Sequence, residues 1–312
     1  MDQVHLGRTD LKVSVMGLGC GGHSKLGLNR GHSQDDAIRV VHSALDLGIN
    51  IIDTAESYHT EAAIGKAICD RRDRITLATK YSHKRHGIFR EDADIVSALE
   101  QSLKALQADY IDIYQVHAVG ETDYSQVVDH HLPVLDKLRT QGKIRYLGIT
   151  EAFGADSNHR MLTRAVEDDY WDTIMVGFNF MNPSARTHVL KTCQQKGIGT
   201  LCMFAIRRAL TREDLANQLV QQLIEEGKLT QDILNLERPF DFLLTNGIAS
   251  NLADAGYRFC RHEPGIDVVL SGSGNPHHLA LNKQSLHAPP LPETILSRLD
   301  QLFGHLDTIS CN

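Results

Sequence analysis

The stretch Ile49-Asn50-Ile51-Ile52-Asp53-Thr54-Ala55-Glu56-Ser57-Tyr58 opens as a short apolar, β-branched run and ends on polar groups. Runs of that kind form strands buried on both faces. A carboxylate stands where the strand runs out, and removing an unpaired carboxylate from water costs several kcal/mol. Asp53 therefore calls for a cation. Two later apolar runs end in a comparable way. Ile75-Thr76-Leu77-Ala78-Thr79-Lys80 closes on a lysine, and Tyr110-Ile111-Asp112-Ile113-Tyr114-Gln115-Val116-His117 closes on a histidine. With these strands parallel and adjacent, Asp53, Tyr58, Lys80 and His117 meet at one mouth.

Around that stretch the chain alternates. Strand patterns fall at 13–16, 49–53, 75–80, 110–117, 144–150, 172–178, 198–204 and 266–271, and helical patterns separate them. The first helix opens at Ser33 with Asp36 three residues on, a capping-box-like start, and stops at Gly48. Another carries Ile95, Leu99, Leu103 and Leu106 as one stripe. Pro133 predicts a kink in the helix at 125–140. Residues 4–13 read as a small hairpin turning at Gly7-Arg8-Thr9-Asp10. The seventh connection, 205–265, is long enough to hold extra helices around 215–226, and a last helix covers 292–306. Eight β/α units in one 312-residue chain predict a single α/β domain over 1–312, a (β/α)8 TIM barrel rather than an open doubly wound sheet. Gly17-Leu18-Gly19-Cys20-Gly21-Gly22 imitates a dinucleotide-binding fingerprint. Such a fingerprint opens straight into a helix, whereas here the helix starts only near Ser33. A flexible loop at the barrel mouth is the better reading.

Composition narrows the partners. A net charge of -7 and a pI near 6.2 argue against nucleic acid. No apolar run approaches the length of about 18 residues that a membrane span needs, and the first residues lack a signal-peptide core. The six cysteines include no C-x-x-C pair, so they read as reduced packing residues of a cytoplasmic protein. No metal site is expected: adjacent His277 and His278 point apart, and the pairs His83/His86 and His130-His131 read as surface residues.

Together these residues resemble the aldo-keto reductase superfamily over nearly the whole chain. The resemblance rests on Leu6-Gly7-Arg8-Thr9 with Lys12-Val13-Ser14, Gly17-Leu18-Gly19, and Ile52-Asp53-Thr54-Ala55 with Tyr58. It continues in Thr79-Lys80, Ser102-Leu103-Lys104, Asp109-Tyr110-Ile111-Asp112, His117 and Gly142-Lys143-Ile144-Arg145-Tyr146-Leu147-Gly148. It implies a (β/α)8 barrel that binds NAD or NADP without a Rossmann fold, with Asp53, Tyr58, Lys80 and His117 as its catalytic residues. The chemistry suits those residue types. Reducing a carbonyl adds hydride to carbon and a proton to oxygen. A tyrosine beside an ammonium has its phenolate favoured and its pKa lowered; Asp53 would hold Lys80, and His117 would bond the substrate oxygen.

The cofactor segments implied by the resemblance are altered in places. Thr150-Glu151 stands where a serine with asparagine or arginine holds the carboxamide, and Met175 replaces a glutamine. Met203 would pack on the nicotinamide. Phe204, Ile206, Arg207 and the neighbouring Arg208 would line the pyrophosphate. Gly272-Ser273-Gly274, His278 and Asn282 would meet the adenosine end. That last segment lacks an arginine for a 2′-phosphate, which favours NAD, with Arg207, Arg208 or Arg258 as the residues that would restore NADP.

The expected partner is a small carbonyl or polyol substrate, with a sugar plausible; oligomeric state stays open. The specificity loops (23–30, 119–127 and 207–235) do not name it. Two other functions fit less well: a cofactor-binding regulatory or channel-associated subunit, and a non-redox TIM-barrel lyase or metal-dependent hydrolase.

Overall fold

In the computed structural model of the protein, residues 1–230, 235 and 237–311 are described. The part of the 207–235 loop at 231–234 lies outside the described residues. A hairpin comes first, formed by β1 (Gln3–His5) and β2 (Lys12–Ser14). The barrel strands are β3 (Met16–Gly19), β4 (Ile51–Asp53), β5 (Thr76–Ser82), β8 (Ile111–Val119), β9 (Ile144–Glu151), β10 (Thr173–Gly177), β11 (Gly199–Met203) and β12 (Val268–Ser271). A two-strand excursion, β6 (Lys84–Arg85) with β7 (Ile88–Phe89), interrupts the series after β5. Every barrel pairing is parallel, and β12 closes on β3. The protein is thus a closed (β/α)8 barrel, as the alternation predicts.

Sequence and structure part at the first strand. The 13–16 run splits: Val13 belongs to the hairpin, and the barrel strand is Met16–Gly19, running into the glycine motif read as a loop. Close packing explains the glycine at 17, where a Cβ would lie 2.7 Å from a methyl of Leu270. A glycine that makes room inside a barrel looks, in sequence, like a loop residue.

Two apolar clusters hold the fold. Inside the barrel, Ile51, Ala78, Ile113, Met175, Leu201 and Val268 pack with Leu6, Leu11 and Val13 of the hairpin, which plugs one end. The larger cluster lies between the strands and the surrounding helices. Helix Gln34–Asp46 shows why its sequence signals worked. Ser33 accepts from the Asp36 amide while Asp36 reaches back to the Ser33 amide, and Gly48 follows at φ 84°. All four residues of the predicted stripe are buried in helix Asp92–Leu106. Near Pro133 the chain forms a π-helical segment, Val127–His131, before helix Leu132–Thr140. Helix Glu213–Glu225 fills part of the long connection, and Glu293–Phe303 is the last helix.

Candidate active site

Parallel pairing brings the strand ends together as the sequence required. The Lys80 ammonium is fully buried; it donates to Asp53 Oδ2 at 2.7 Å and to the Thr54 carbonyl at 2.7 Å. Asp53 Oδ1 accepts from Gln115 Nε2 at 3.0 Å. The ammonium lies 5.0 Å from the centre of the Tyr58 ring. Across the mouth, Tyr58 OH and His117 Nε2 are 3.3 Å apart, their rings edge to face.

Local devices aim each group. Tyr58 rides on the short turn Glu56–Tyr58, where Glu56 accepts from the Ser82 amide at 2.9 Å and pairs with Arg90. His117 precedes a break in the β8–β9 register, where Ala118 adopts φ 52° and its amide donates to Thr150 Oγ1 at 2.7 Å. Such irregularities re-aim a side chain at a strand end. His83 lies behind His117, its Nδ1 3.2 Å from the His117 carbonyl and its Nε2 2.9 Å from Asp123. The sequence reading places His83 and His131 at the surface, and the structure corrects it. Both are buried, and His131 Nδ1 meets Tyr81 OH at 3.0 Å.

Burial sets the electrostatics. It raises the Asp53 carboxyl above its ordinary range, against the pull of Lys80 and Gln115. Burial also works against the Lys80 ammonium, but Asp53 and then Tyr58 outweigh it, and the lysine pKa ends raised. His117 is pushed down to about 3 by burial, then by Lys80 and His83, so it is a neutral imidazole at physiological pH. The Tyr58 phenol corrects an expectation. Its pKa is raised, because desolvation exceeds the lowering by Lys80 and the Asp53 carboxylate adds to the rise. Lys80 limits that rise without reversing it.

Gly21 supplies another positioning device. A Cβ there would lie 2.5 Å from Tyr58 Cε2, so the ring is seated directly on the glycine backbone. Gly21 is not among the positive-φ glycines, so alanine fits the backbone and the ring must move instead. Gly21→Ala is expected to keep the fold and lower kcat/KM roughly 10²-fold, the scale of a misplacement near 1 Å. A variant with unaltered kcat/KM would show that the seat is irrelevant.

The cofactor candidates divide. Thr150 Oγ1 accepts the Ala118 amide and keeps its own hydrogen to donate. Arg207 has no carboxylate partner among the described residues. It lies 4.2 Å from the Phe204 ring centre and 5.7 Å from that of Phe153, and it donates to the Ser310 carbonyl at 2.9 Å. Burial lowers its pKa. A partly desolvated guanidinium without a counter-ion fits a phosphate. Met203 and Ile206 are half-buried, and Phe204 holds φ 65°.

Two candidates are already engaged within the chain. Glu151 is buried, with one oxygen 2.9 Å from His159 Nδ1 and the other accepting the Gly177 amide at 2.7 Å, so its carboxylate is already engaged. Met175 belongs to the apolar interior cluster. At the adenosine end, Gly272 and Gly274 allow backbone contact: added Cβ atoms would lie 2.8 Å from the Gly19 carbonyl oxygen and 2.6 Å from Gly27. Ser273 bonds within its own turn, Asn282 donates to Ser271 Oγ at 2.9 Å, and His278 is exposed. Arg258 is engaged within the chain: its nitrogens donate to the carbonyls of Pro289, Ile248 and Pro290.

Gln115 and Gly21 escaped the sequence reading. Gln115 was within reach of it: a strand repeats every two residues, so Gln115 shares the inward face of His117.

Residues 16–303 match the model of the Aldo/keto reductase family, and the chain belongs to that family. It is 30% identical over 306 residues to the aldo-keto reductase YhdN of Bacillus subtilis, covering 89% of this chain and 87% of that one. L-galactose dehydrogenase of Arabidopsis thaliana is 32% identical over 217 residues, 67% of this chain and 66% of its own. Among solved structures, the holo form of aldo-keto reductase AKR11C1 from Bacillus halodurans superposes with a TM-score of 0.73 at 26% identity, covering 97% and 96% of the two chains.

Proposed function

We propose that the protein interconverts a carbonyl and an alcohol by hydride transfer with a nicotinamide cofactor, Tyr58 giving the proton in reduction and taking it in oxidation. The observation that carries this reading is the meeting of the Tyr58 hydroxyl, the Asp53-paired Lys80 ammonium and the neutral His117 imidazole in one barrel mouth. The nicotinamide, when bound, supplies or accepts the hydride. The protein's residues handle the proton. At neutral pH the raised phenol is fully protonated, the form needed to donate. The Lys80 cation then stabilises the phenolate left behind, and Asp53 holds that cation in place. His117 hydrogen-bonds the substrate oxygen while charge develops there. Since its ionisation lies near 3, it adds no limb to a pH profile between pH 5 and 9.

Arg207 would meet the pyrophosphate and Thr150 the carboxamide. The holo form of the Bacillus halodurans relative supports cofactor use, and the similarity to a plant L-galactose dehydrogenase supports a sugar or polyol substrate. For the cofactor we favour NAD, because the Gly272–Asn282 segment offers histidines rather than arginine and Arg258 is engaged elsewhere. Titrations with NADH and NADPH, followed by an aldehyde and sugar panel, test the whole reading. NADH is expected to bind more tightly. NADPH binding tenfold tighter, about 1.4 kcal/mol, would overturn the preference. Tight cofactor binding with no turnover across the panel would favour a regulatory subunit instead.

A further inference from the structure

Neither the proton chemistry nor packing accounts for the buried side chain of Gln115. It is fully enclosed; its Nε2 donates to Asp53 Oδ1 at 3.0 Å, while its Oε1 has no partner among the described residues. The next inward layer of the barrel, with Ile113 and Ala78, is apolar. A buried amide with an unpaired acceptor is less stable than an apolar side chain of the same shape. Stability alone therefore does not explain a glutamine here.

Its direction is also fixed. Gln115 pairs with Gly148 on β9, where a Cβ would lie 2.8 Å from Gln115 Cγ and 2.6 Å from Thr173 Oγ1. The glutamine lies across the bare Cα of Gly148 and reaches Asp53, whose other oxygen holds Lys80 at 2.7 Å.

We propose that Gln115 is a positioning residue: its amide fixes the orientation and charge of Asp53, and through Asp53 the ammonium that faces Tyr58. This rests on the reading of Tyr58 and Lys80 as the proton-transfer pair. A hydrogen bond to Oδ1 favours the ionised carboxylate, and the ionised carboxylate keeps Lys80 charged. Without that bond the Asp53–Lys80 pair drifts towards its neutral form, and Tyr58 loses the cation that favours its phenolate. A packing residue would change stability alone. A positioning residue also moves the ionisation of Tyr58.

The test reads that ionisation directly, by ultraviolet difference titration of the full chain against Tyr58→Phe, alongside NADH affinity, melting temperature and NADH-dependent reduction of 4-nitrobenzaldehyde across pH. Gln115→Met is expected to raise the Tyr58 transition by about one pH unit and lower turnover about tenfold at pH 7, with NADH affinity kept within about twofold. Gln115→Glu is expected to work at low pH, where its protonated carboxyl donates to Asp53. It should fail as pH rises, because two facing carboxylates cannot both ionise cheaply. A folded Gln115→Met with an unmoved Tyr58 transition, or a Gln115→Glu without a new pH limb, overturns the proposal. If neither variant folds, the residue holds the barrel together and the proposal falls. Full turnover in Tyr58→Phe would sink both readings, whereas a dead Tyr58→Phe beside unshifted Gln115 variants sinks this one alone.

Discussion

Tyr58→Phe is expected to lower turnover by roughly 10²–10⁴-fold, the usual range for losing a general acid, while leaving nicotinamide affinity unchanged. Phenylalanine keeps the ring seated on Gly21 and above Lys80, so the packing of the mouth survives. What disappears is the hydroxyl 3.3 Å from His117 Nε2 and the proton it carries. Because the loss falls on proton transfer, kcat and kcat/KM should drop together. Measuring both, with a parallel NADH titration, separates this from damage to binding. A variant that retains near wild-type turnover would remove Tyr58 from the reaction.

Much of this site was legible because burial makes charge conspicuous. Asp53 and Lys80 end apolar runs, where only a partner makes a charge tolerable, and the structure pairs them. Glycine was harder to read. Gly17 and Gly19 lie in a strand, yet in sequence they look like a loop; the neighbour that Gly17 accommodates, Leu270, is distant in the chain. The altered cofactor positions were read from residue types, which do not reveal the partners each side chain takes in the fold. Glu151 is claimed by His159 and the Gly177 amide, and Met175 by the apolar interior; neither contact is local in sequence. The Tyr58 pKa was misjudged for a related reason. The ammonium beside it was visible in the sequence, but the depth of burial that outweighs it was not.

Lys80→Met should have the largest effect on stability. Methionine matches the stem but removes the cation, leaving Asp53 buried with only the Gln115 amide as a side-chain hydrogen-bond partner among the described residues. Breaking a buried pair from one side costs about 3–5 kcal/mol, because the orphaned charge remains out of water. The pH dependence has a definite sign. Burial already raises the Asp53 pKa in the folded protein, and Lys80 is the main opposing influence, so the substitution raises it further. A carboxyl whose folded pKa exceeds its unfolded value of about 3.9 favours the folded state below that value and loses the contribution as pH rises through the folded pKa. The deficit of the variant should therefore shrink as pH falls from 7 towards 4, as Asp53 takes up a proton and becomes neutral. Urea denaturation of both proteins at pH 7 and pH 5 reads this as a narrowing gap in unfolding free energy. Equal gaps at the two values would mean that Asp53 does not carry the buried charge. Asp53→Asn in the Lys80→Met background supplies the control: a neutral amide in place of the carboxylate should recover part of the loss and abolish the pH dependence.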